Sequence, residues 1–544
     1  MDQRGAEAVR EACLPAGPQH VQPGGSGVVI FTGPRPRLPV PDTPFTSYVF
    51  RQAERYAELP AAVDHSGARS YTYGQMISAV RGMAAALRAR DLGKGDVVAI
   101  LAPNVPEYPI VFHAVAAVGG TVVVLNPLDT VDELTTLLDE AGARLLVTSP
   151  SAVAKAHTLM ARTKVTEIVV LGEADGATPF SALVGHAPPL APDAGPDIEP
   201  AADVVALLHS SGTTGHPKGV MLTHRNMIAN VLQTSEVAPL ERGEKVLAVP
   251  PFHHAFGLIM VMNATLLQGA TLVTMERFEP EAYLKAIQDH RITRLYVVPT
   301  IAVLLARSPL VDRYDLSSLR SIVSGGAALD PEIARVCRER LGCAIGQGYG
   351  LTEALVSFMQ HDGGVSAGSV GHNSPNVECK VVDAVTGEEL GPGRRGEVLV
   401  RGPHVMKGYL RAPEATGQVL EPDGFLRTGD LGYMDENGEL FVVDRIKELI
   451  KYKGQQVSPV ELEAVLMTHP KVVDAAVIGV PDDEASEIPK AFVVVTEPTP
   501  PKEITAFVAA RVAPYKKIRR VEFVDRIPRT PVGKIERRAL KENS

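Results

Sequence analysis

Residues 210–220 read SSGTTGHPKGV and follow directly on an apolar run at 204–208, VVALL. A short continuous apolar run bounded by turn residues reads as a buried strand. The strand would deliver a loop made of Gly, Ser and Thr with one lysine. Such a backbone can wrap phosphate oxygens closely and offer them N–H and hydroxyl donors. The candidate donors are Ser210, Ser211, Gly212, Thr213, Thr214 and Gly215, and Lys218 adds a mobile positive charge. The order differs from the common P-loop, because Gly219 follows Lys218 where a helix-opening Ser or Thr is required. The stretch therefore reads as a strand-fed phosphate loop of another kind. The bland alternative is a hydroxyl-rich surface turn.

Working outward, the flanks alternate strand and helix. Residues 47–56 and 76–90 have helical amphipathicity, 96–102 (DVVAILA) and 121–125 (TVVVL) read as buried strands, and 108–118 reads as a helix. The alternation runs to about residue 345, as in a layered α/β architecture. The most apolar stretch, 255–273, is interrupted by Asn263, Thr265, Gln268 and Gly269, so it reads as a buried helix and a strand rather than a membrane span. After about 365 the strands shorten (379–383, 397–401, 439–443) and Gly-containing turns multiply, as in a smaller β-rich subdomain. From about 447 a further unit begins, with helices at 459–467 and 504–512 and strands at 472–479 and 491–495. The expected fold is α/β: a large N-terminal domain of layered α/β subdomains plus the β-rich one, and a small mobile α+β C-terminal domain. The expected boundaries are a Gly/Pro-rich tail and lead-in at 1–40, the large domain at 41–443, a hinge at 444–447 and the small domain at 448–544.

Composition narrows the function classes. The chain has 544 residues, 45% hydrophobic and 22% charged, which excludes a mostly disordered protein. A net charge of −9 argues against general nucleic-acid or anionic-membrane binding. The four cysteines, Cys13, Cys337, Cys343 and Cys379, form no C-x-x-C pair, as expected of a reducing cytosol. The first residues hold no apolar run of signal-peptide length, and the last four, KENS, are not a peroxisomal S-K-L signal. A cytoplasmic location is the expectation.

Further blocks recur in order: SGGAA at 324–328, GQGYGLTE at 346–353, TGD at 428–430, VDRIKELIKYKG at 443–454, and Gly533-Lys534 after PRTPV. With SSGTTGHPKGV, they resemble the signatures of the adenylate-forming superfamily of acyl- and aryl-CoA synthetases, peptide-synthetase adenylation domains and firefly-type luciferases. The pattern is most similar to the 4-coumarate–CoA ligases, through SYVF at 47–50, the GQGYGLTE form and KELIKYKGQQVSP at 447–459.

The resemblance implies an ATP-dependent acid–CoA ligase that forms an acyl-adenylate and then an acyl-CoA, using ATP, Mg²⁺ and coenzyme A. It implies a nucleotide site of Gly325, Gly326, Ala327, Gly348, Tyr349 (stacking on adenine), Gly350, Thr352 (α-phosphate), Asp430 (ribose) and Arg445, beside the phosphate loop with Lys218. Glu353 would hold Mg²⁺; its bland alternative is a carboxylate at a helix N-terminus. Lys534 would serve adenylation, Lys451 the second half-reaction, and Lys447 the hinge. Lys453 and Gly454 would border the pantetheine path. The acyl pocket would comprise His254, Phe256, Met260, Gly350, Leu351 and Val356. If 250–257 (PPFHHAFG) is extended, adjacent side chains face opposite ways, so His253 and His254 cannot share a pocket or a metal, and His253 is structural.

The pocket departs from the plant pattern. Phe256 stands where Tyr is usual in that group, Met260 where Ser or Thr is common, and Leu355-Val356-Ser357 where Gly-Pro-Val is common. An apolar pocket of this kind points to cinnamate-like, benzoate-like or medium-chain acids as readily as 4-coumarate. The basic run Arg511, Lys516, Lys517, Arg519 and Arg520 reads as a solvated face, with CoA phosphate contact as the alternative. The competing functions are loading of a carrier-protein thiol, a luciferase-like oxygenase, and a non-catalytic nucleotide-binding regulator.

Overall fold

A computed structural model describes residues 22–24, 28–186, 196–210, 217–360, 366–453, 455–482, 484–530 and 533–542. Among them the strands form four sheets. In the eight-stranded sheet the order is Gly408–Tyr409, Lys218–Thr223, Val204–Ser210, Thr121–Val124, Val97–Leu101, Ala143–Thr148, Glu167–Val170 and Thr178–Pro179. Pairing is parallel from 204–210 outward to 178–179, and antiparallel only at the 218–223 and 408–409 edge. Runs such as VVAIL are buried on both faces, which suits a parallel strand covered by helices on each side. Helices enter and leave these strands on local signals. Thr130 and Glu133 close a capping box ahead of Val131–Ala141, and Gly142, at φ +72°, ends that helix.

The nine-stranded sheet runs His372–Asn373, Leu355–Met359, Ala344–Leu351, Ser321–Ser324, Arg294–Val297, Lys245–Ala248, Thr271–Thr274, Pro60–Asp64 and Ser70–Thr72. Its six central strands, from 344–351 to 60–64, are parallel, and the rest are antiparallel. Asn104 ties the two large sheets together. From the turn after strand 97–101 it donates to the carbonyls of Ala248 (2.9 Å) and Pro250 (3.0 Å) and accepts from the N–H of Phe252 (2.9 Å). The segment leaving strand 245–248 is fixed in this way.

The β-rich subdomain is a seven-stranded sheet containing Glu378–Val382, Gly396–Arg401, Leu426–Met434 and Leu440–Arg445. The lead-in expected near Val28 is a strand of this sheet, Val28–Thr32, paired antiparallel with 378–382. The helix expected over 47–56 is two short pieces, Phe45–Val49 and a 3₁₀ turn, Ala53–Tyr56. Helices this short are held by packing rather than propensity. Phe45 packs edge-on to Phe112, while Tyr56 packs edge-on to Tyr73, so the two halves follow different neighbours. No helix among the described residues is long and apolar enough to cross a membrane.

The last unit has its own five-stranded sheet and its own core, built from Ile450, Leu462, Leu466, Val477, Val493 and Ile504 among others. Its helix Pro459–Met467 spans the residues expected. The unit docks on the end of strand 440–445 through Asp444. This buried carboxylate accepts from the Ser458 hydroxyl and, at 3.3 Å, from the Val460 N–H, at the first turn of helix 459–467. Hydrogen bonds to a charged group contribute about 1.5–3 kcal/mol. Asp444→Ala should therefore loosen the unit, with proteolysis in the 446–448 turn at least about tenfold faster. Unchanged cleavage kinetics would count against this docking contact.

Candidate active site

Strands 204–210 and 218–223 form a hairpin in which Ser210 pairs with Lys218. The phosphate-type loop thus runs from strand to strand rather than from strand to helix. Ser211, Gly212, Thr213, Thr214, Gly215 and Gly454 lie outside the described residues. Beside Lys218 the short strand Gly408–Tyr409 pairs with 218–223, Val220 opposite Tyr409. The Lys218 ammonium lies 4.9 Å from the centroid of the Tyr409 ring. The Tyr409 hydroxyl donates to Glu353 Oε1 at 2.9 Å. Burial and the neighbouring Glu353 charge raise the Tyr409 pKa, so the hydroxyl keeps its proton.

Glu353 occupies the turn of the hairpin Ala344–Leu351/Leu355–Met359, with no helix N-terminus to explain it. Leu351 and Thr352 precede it, half-buried, and Val356 follows, buried. Only glycine fits at 350, because a Cβ there would lie 1.8 Å from the Leu355 carbonyl oxygen. Gly348 and Tyr349 precede it on the same strand. One strand inward, Ser321–Ser324 ends at Gly325, Gly326 (φ +86°) and Ala327.

Asp430 and Arg445 are cross-strand partners in the β-rich sheet. Arg445 Nε meets Asp430 Oδ1 at 2.7 Å, and the Tyr349 hydroxyl donates to Oδ2 at 2.5 Å. Burial raises the Asp430 pKa, opposed by Arg445, Tyr349 and Lys534. Lys534 keeps contact with solvent on one side, but the protein around it lowers its pKa, as does Arg445, while Asp430, Glu448 and Glu353 oppose. One constellation therefore gathers Glu353, Asp430, Arg445 and Lys534. Lys447 is exposed in the turn Ile446–Glu448 beside it. Lys451 does not join it: this lysine is exposed on Ile450–Tyr452, with its N–H donating to Glu487. Lys453 is also exposed and takes a positive φ of +47°. In the basic run, Lys516 pairs with Glu461 (2.6 Å) and Arg519 donates to the Tyr452 hydroxyl (3.0 Å), so both are engaged within their own unit.

The segment 250–257 corrects the extended reading. His254 N–H bonds back to the Pro251 carbonyl (3.0 Å), forming a turn, and His253 and His254 sense each other electrostatically. The turn exists because Asn104 holds residues 250 and 252. Burial pushes the His254 pKa down to about 3, helped by Lys534 and His253. His254 Nδ1 accepts the Phe256 N–H at 3.3 Å, so the neutral ring carries its proton on Nε2. Phe256 lies edge-on to Tyr296, and a Cβ on Gly325 would approach its ring tip to 3.1 Å. The helix that follows is a π-helix, Gly257–Asn263, where Ala264 N–H reaches Ile259 O and Asn263 Nδ2 donates to Leu258 O at 2.8 Å. Met260 sits inside it, buried.

Residues 49–410 match the AMP-binding enzyme family, and residues 461–534 match the AMP-binding enzyme C-terminal domain. The chain belongs to the AMP-binding enzyme family. It is 40% identical over 528 residues to 4-coumarate–CoA ligase 3 of Oryza sativa subsp. japonica, covering 94% of this chain and 95% of that one. ATP-bound MatB from Rhodopseudomonas palustris superposes with a TM-score of 0.86 at 30% identity, covering 92% of this chain and 99% of MatB. The anthranilate CoA ligase AuaEII, in complex with anthranoyl-AMP, gives a TM-score of 0.85 at 27% identity, covering 93% and 98%.

Tyr409, which touches both Glu353 and Lys218 of this AMP-binding enzyme, is not revealed by its motifs. The only sequence signal is a K-G-Y-L turn; its meaning comes from pairing with a strand nearly two hundred residues earlier. The histidine geometry is testable directly. His254 should stay neutral down to about pH 4, because its pKa is pushed down and protonation comes only below that shifted value. A ¹⁵N NMR pH titration, with His254→Gln to assign the signal, checks this; a midpoint near 6.5 would overturn it.

Proposed function

We propose that this chain is an ATP-dependent carboxylic acid–CoA ligase. It transfers AMP from ATP to a carboxylate with release of pyrophosphate, then passes the acyl group to the thiol of coenzyme A with release of AMP. The observation that carries the reading is that Asp430 is bonded to both Arg445 and Tyr349, with Lys534 near enough to act electrostatically on Asp430 and on the neutral His254. A carboxylate is a poor electrophile until its oxygen becomes part of a good leaving group. Activation requires two anions, carboxylate and triphosphate, to approach each other, and fixed cations and dipoles lower that barrier.

In this reading His254 Nε2–H and Lys534 meet the acid carboxylate and the α-phosphate, with Thr352 beside them. Tyr349 offers its ring face to adenine, bordered by Gly325, Gly326, Ala327, Gly348 and Gly350. Asp430 has lone pairs left for the ribose hydroxyls, with Arg445 holding its orientation. Lys218 and the loop before it meet the outer phosphates. Glu353 suits Mg²⁺, a hard cation that takes carboxylate and phosphate oxygen: among the described residues no hydrogen bond reaches its Oε2. No group of three metal-ligating side chains stands together there, so the phosphates would supply the other ligands. Mg²⁺ held in this way would neutralise triphosphate charge.

Lys534 beside Arg445 and Asp430, and Lys451 away from them, support an arrangement suited to the first half-reaction. Rotation of the last unit about Lys447 would bring Lys451 in for the second, with Lys453 and Gly454 along the thiol path. The Phe256, Met260, Val356 and Tyr296 surroundings carry few placed donors, which favours an aryl, cinnamate-like or medium-chain acid.

Mass spectrometry of products from Mg-ATP and a panel of cinnamates, benzoates and C6–C12 acids tests the reading. Each acid is offered with coenzyme A, with a phosphopantetheinylated carrier protein, or alone. An acyl-CoA product is expected. Acyl-AMP that transfers only to the carrier moves the acceptor to a protein thiol, and no product with any acid refutes the ligase. Lys534→Ala should depress acid-dependent ATP–pyrophosphate exchange by about 100-fold or more, the scale of losing one charge-stabilising group. It should spare thioester formation from supplied acyl-AMP, and Lys451→Ala should do the reverse. Equal losses in both half-reactions would remove this division of labour.

A further inference from the structure

Two residues far apart in the chain, Lys218 and Glu353, meet at Tyr409, and each contact is of a different kind. The ring face lies under the Lys218 ammonium at 4.9 Å, a cation–π arrangement. The hydroxyl donates to one oxygen of Glu353 at 2.9 Å. The backbone is held on every side: its N–H donates to Thr416 Oγ1 (2.9 Å), and the next residue's N–H donates to the Gly219 carbonyl (2.7 Å). Just before it, Lys407 N–H reaches the Met221 carbonyl (3.0 Å) and Met406 N–H reaches the carbonyl of Glu353 itself (2.8 Å). Gly408, at φ +147°, leaves no room for a side chain, since a Cβ would lie 2.9 Å from Thr416. Tyr409 is thus buried and rigid, whereas Lys218 and Glu353 carry flexible side chains on a loop edge and a hairpin turn.

We propose that Tyr409 is a positioning residue for triphosphate binding: its hydroxyl commits one oxygen of Glu353 and leaves the other for the cation, while its ring face fixes the Lys218 ammonium beside the same phosphates. The inference rests on the ligase reading above. A lysine and a carboxylate this close in one site could otherwise turn toward each other and cancel. Tyr409 stands between them and gives each a separate partner, so that neither has to be reoriented when nucleotide and cation arrive. Removing the hydrogen-bond partner of a metal-binding carboxylate typically weakens metal binding by about 10–100-fold.

The test is calorimetric titration of ATP into the full chain, once in EDTA and once with excess Mg²⁺, for the parent, Tyr409→Phe, Tyr409→Leu, Glu353→Gln and the double variant Tyr409→Phe/Glu353→Gln. The parent should bind ATP more tightly with Mg²⁺. Tyr409→Phe keeps the ring and should bind metal-free ATP as the parent does, but lose about tenfold or more of the Mg²⁺ enhancement. Tyr409→Leu should also weaken metal-free ATP binding. Tyr409→Phe/Glu353→Gln should lose no more enhancement than Glu353→Gln alone, the mark of two groups acting as one. Thermal unfolding of Tyr409→Phe without nucleotide should match the parent, and its titration decides the matter even if Tyr409→Leu fails to fold. Parent-like enhancement in Tyr409→Phe overturns the positioning role alone. A parent that binds no ATP, or gains nothing from Mg²⁺, removes the ligase reading and this inference with it.

Discussion

Asn230 donates to the carbonyl of Val356 at 2.7 Å and accepts the N–H of the same residue at 3.1 Å, so the hairpin behind Glu353 can neither slide nor turn over. Asn230 lies on the helix His224–Val237, which buries the amides Asn226, Asn230 and Gln233 alongside aliphatic side chains such as Met227, Ile228 and Val231. Asn226 donates to the carbonyls of Pro403 and Val405 (both 2.8 Å), just before the strand that carries Tyr409, and Gln233 donates to that of Pro375 (2.6 Å). The helix itself begins at Thr223, whose hydroxyl and N–H form a capping box with Asn226 at the end of the Lys218 strand. One buried helix therefore sets the relative positions of Lys218, Tyr409 and Glu353. In a low-dielectric interior each of these bonds is strong, and each unmade bond would be costly, so the arrangement is close to unique.

The site draws on two cores. Asp430, Arg445, Tyr349 and Glu353 are held by the large body, while Lys534 arrives on a unit with a separate core, packed beside strand 440–445 through Asp444. Arg537 of that unit pairs with Glu448 and Glu463 at 2.8 and 2.7 Å, so its own charges are internally balanced near the junction. Among the described residues Lys534 has no such ion pair, and its ammonium senses Arg445, Asp430, Glu448 and Glu353 instead. The placing of Lys534 beside Arg445 and Asp430 is thus a property of docking as much as of residue content.

Much of the architecture was legible because strands buried on both faces must be continuous apolar runs, and VVAIL or TVVV admits few other readings. The helix Pro459–Met467 was legible in full, since Ser458 caps it and Pro459 opens it. What failed were segments whose conformation is set by distant partners. Residues 250–257 look extended but turn because Asn104 grips them from 146 residues away. The stretch 47–56 looks like one amphipathic helix but breaks where its neighbours change. The motif residues were legible as chemistry: Asp430, Arg445 and Tyr349 meet directly, with Lys534 and Glu353 within electrostatic reach. Tyr409, Asn230 and Asn104 were not, because a lone Tyr or Asn carries no periodic signal and its meaning lies in contacts the chain order hides.

The π-helix Gly257–Asn263 has a consequence for how such a pocket can change. A π turn holds one residue more than an α turn, so the wall beside Phe256 and Met260 contains a built-in insertion, with Asn263 bonding back to Leu258 across the widened turn. Loss of that single residue would restore α-helical spacing and rotate the segment beyond it by about 100°. Substrate preference could then diverge between relatives through a change in length alone, and a comparison confined to which side chains line the pocket would not register it.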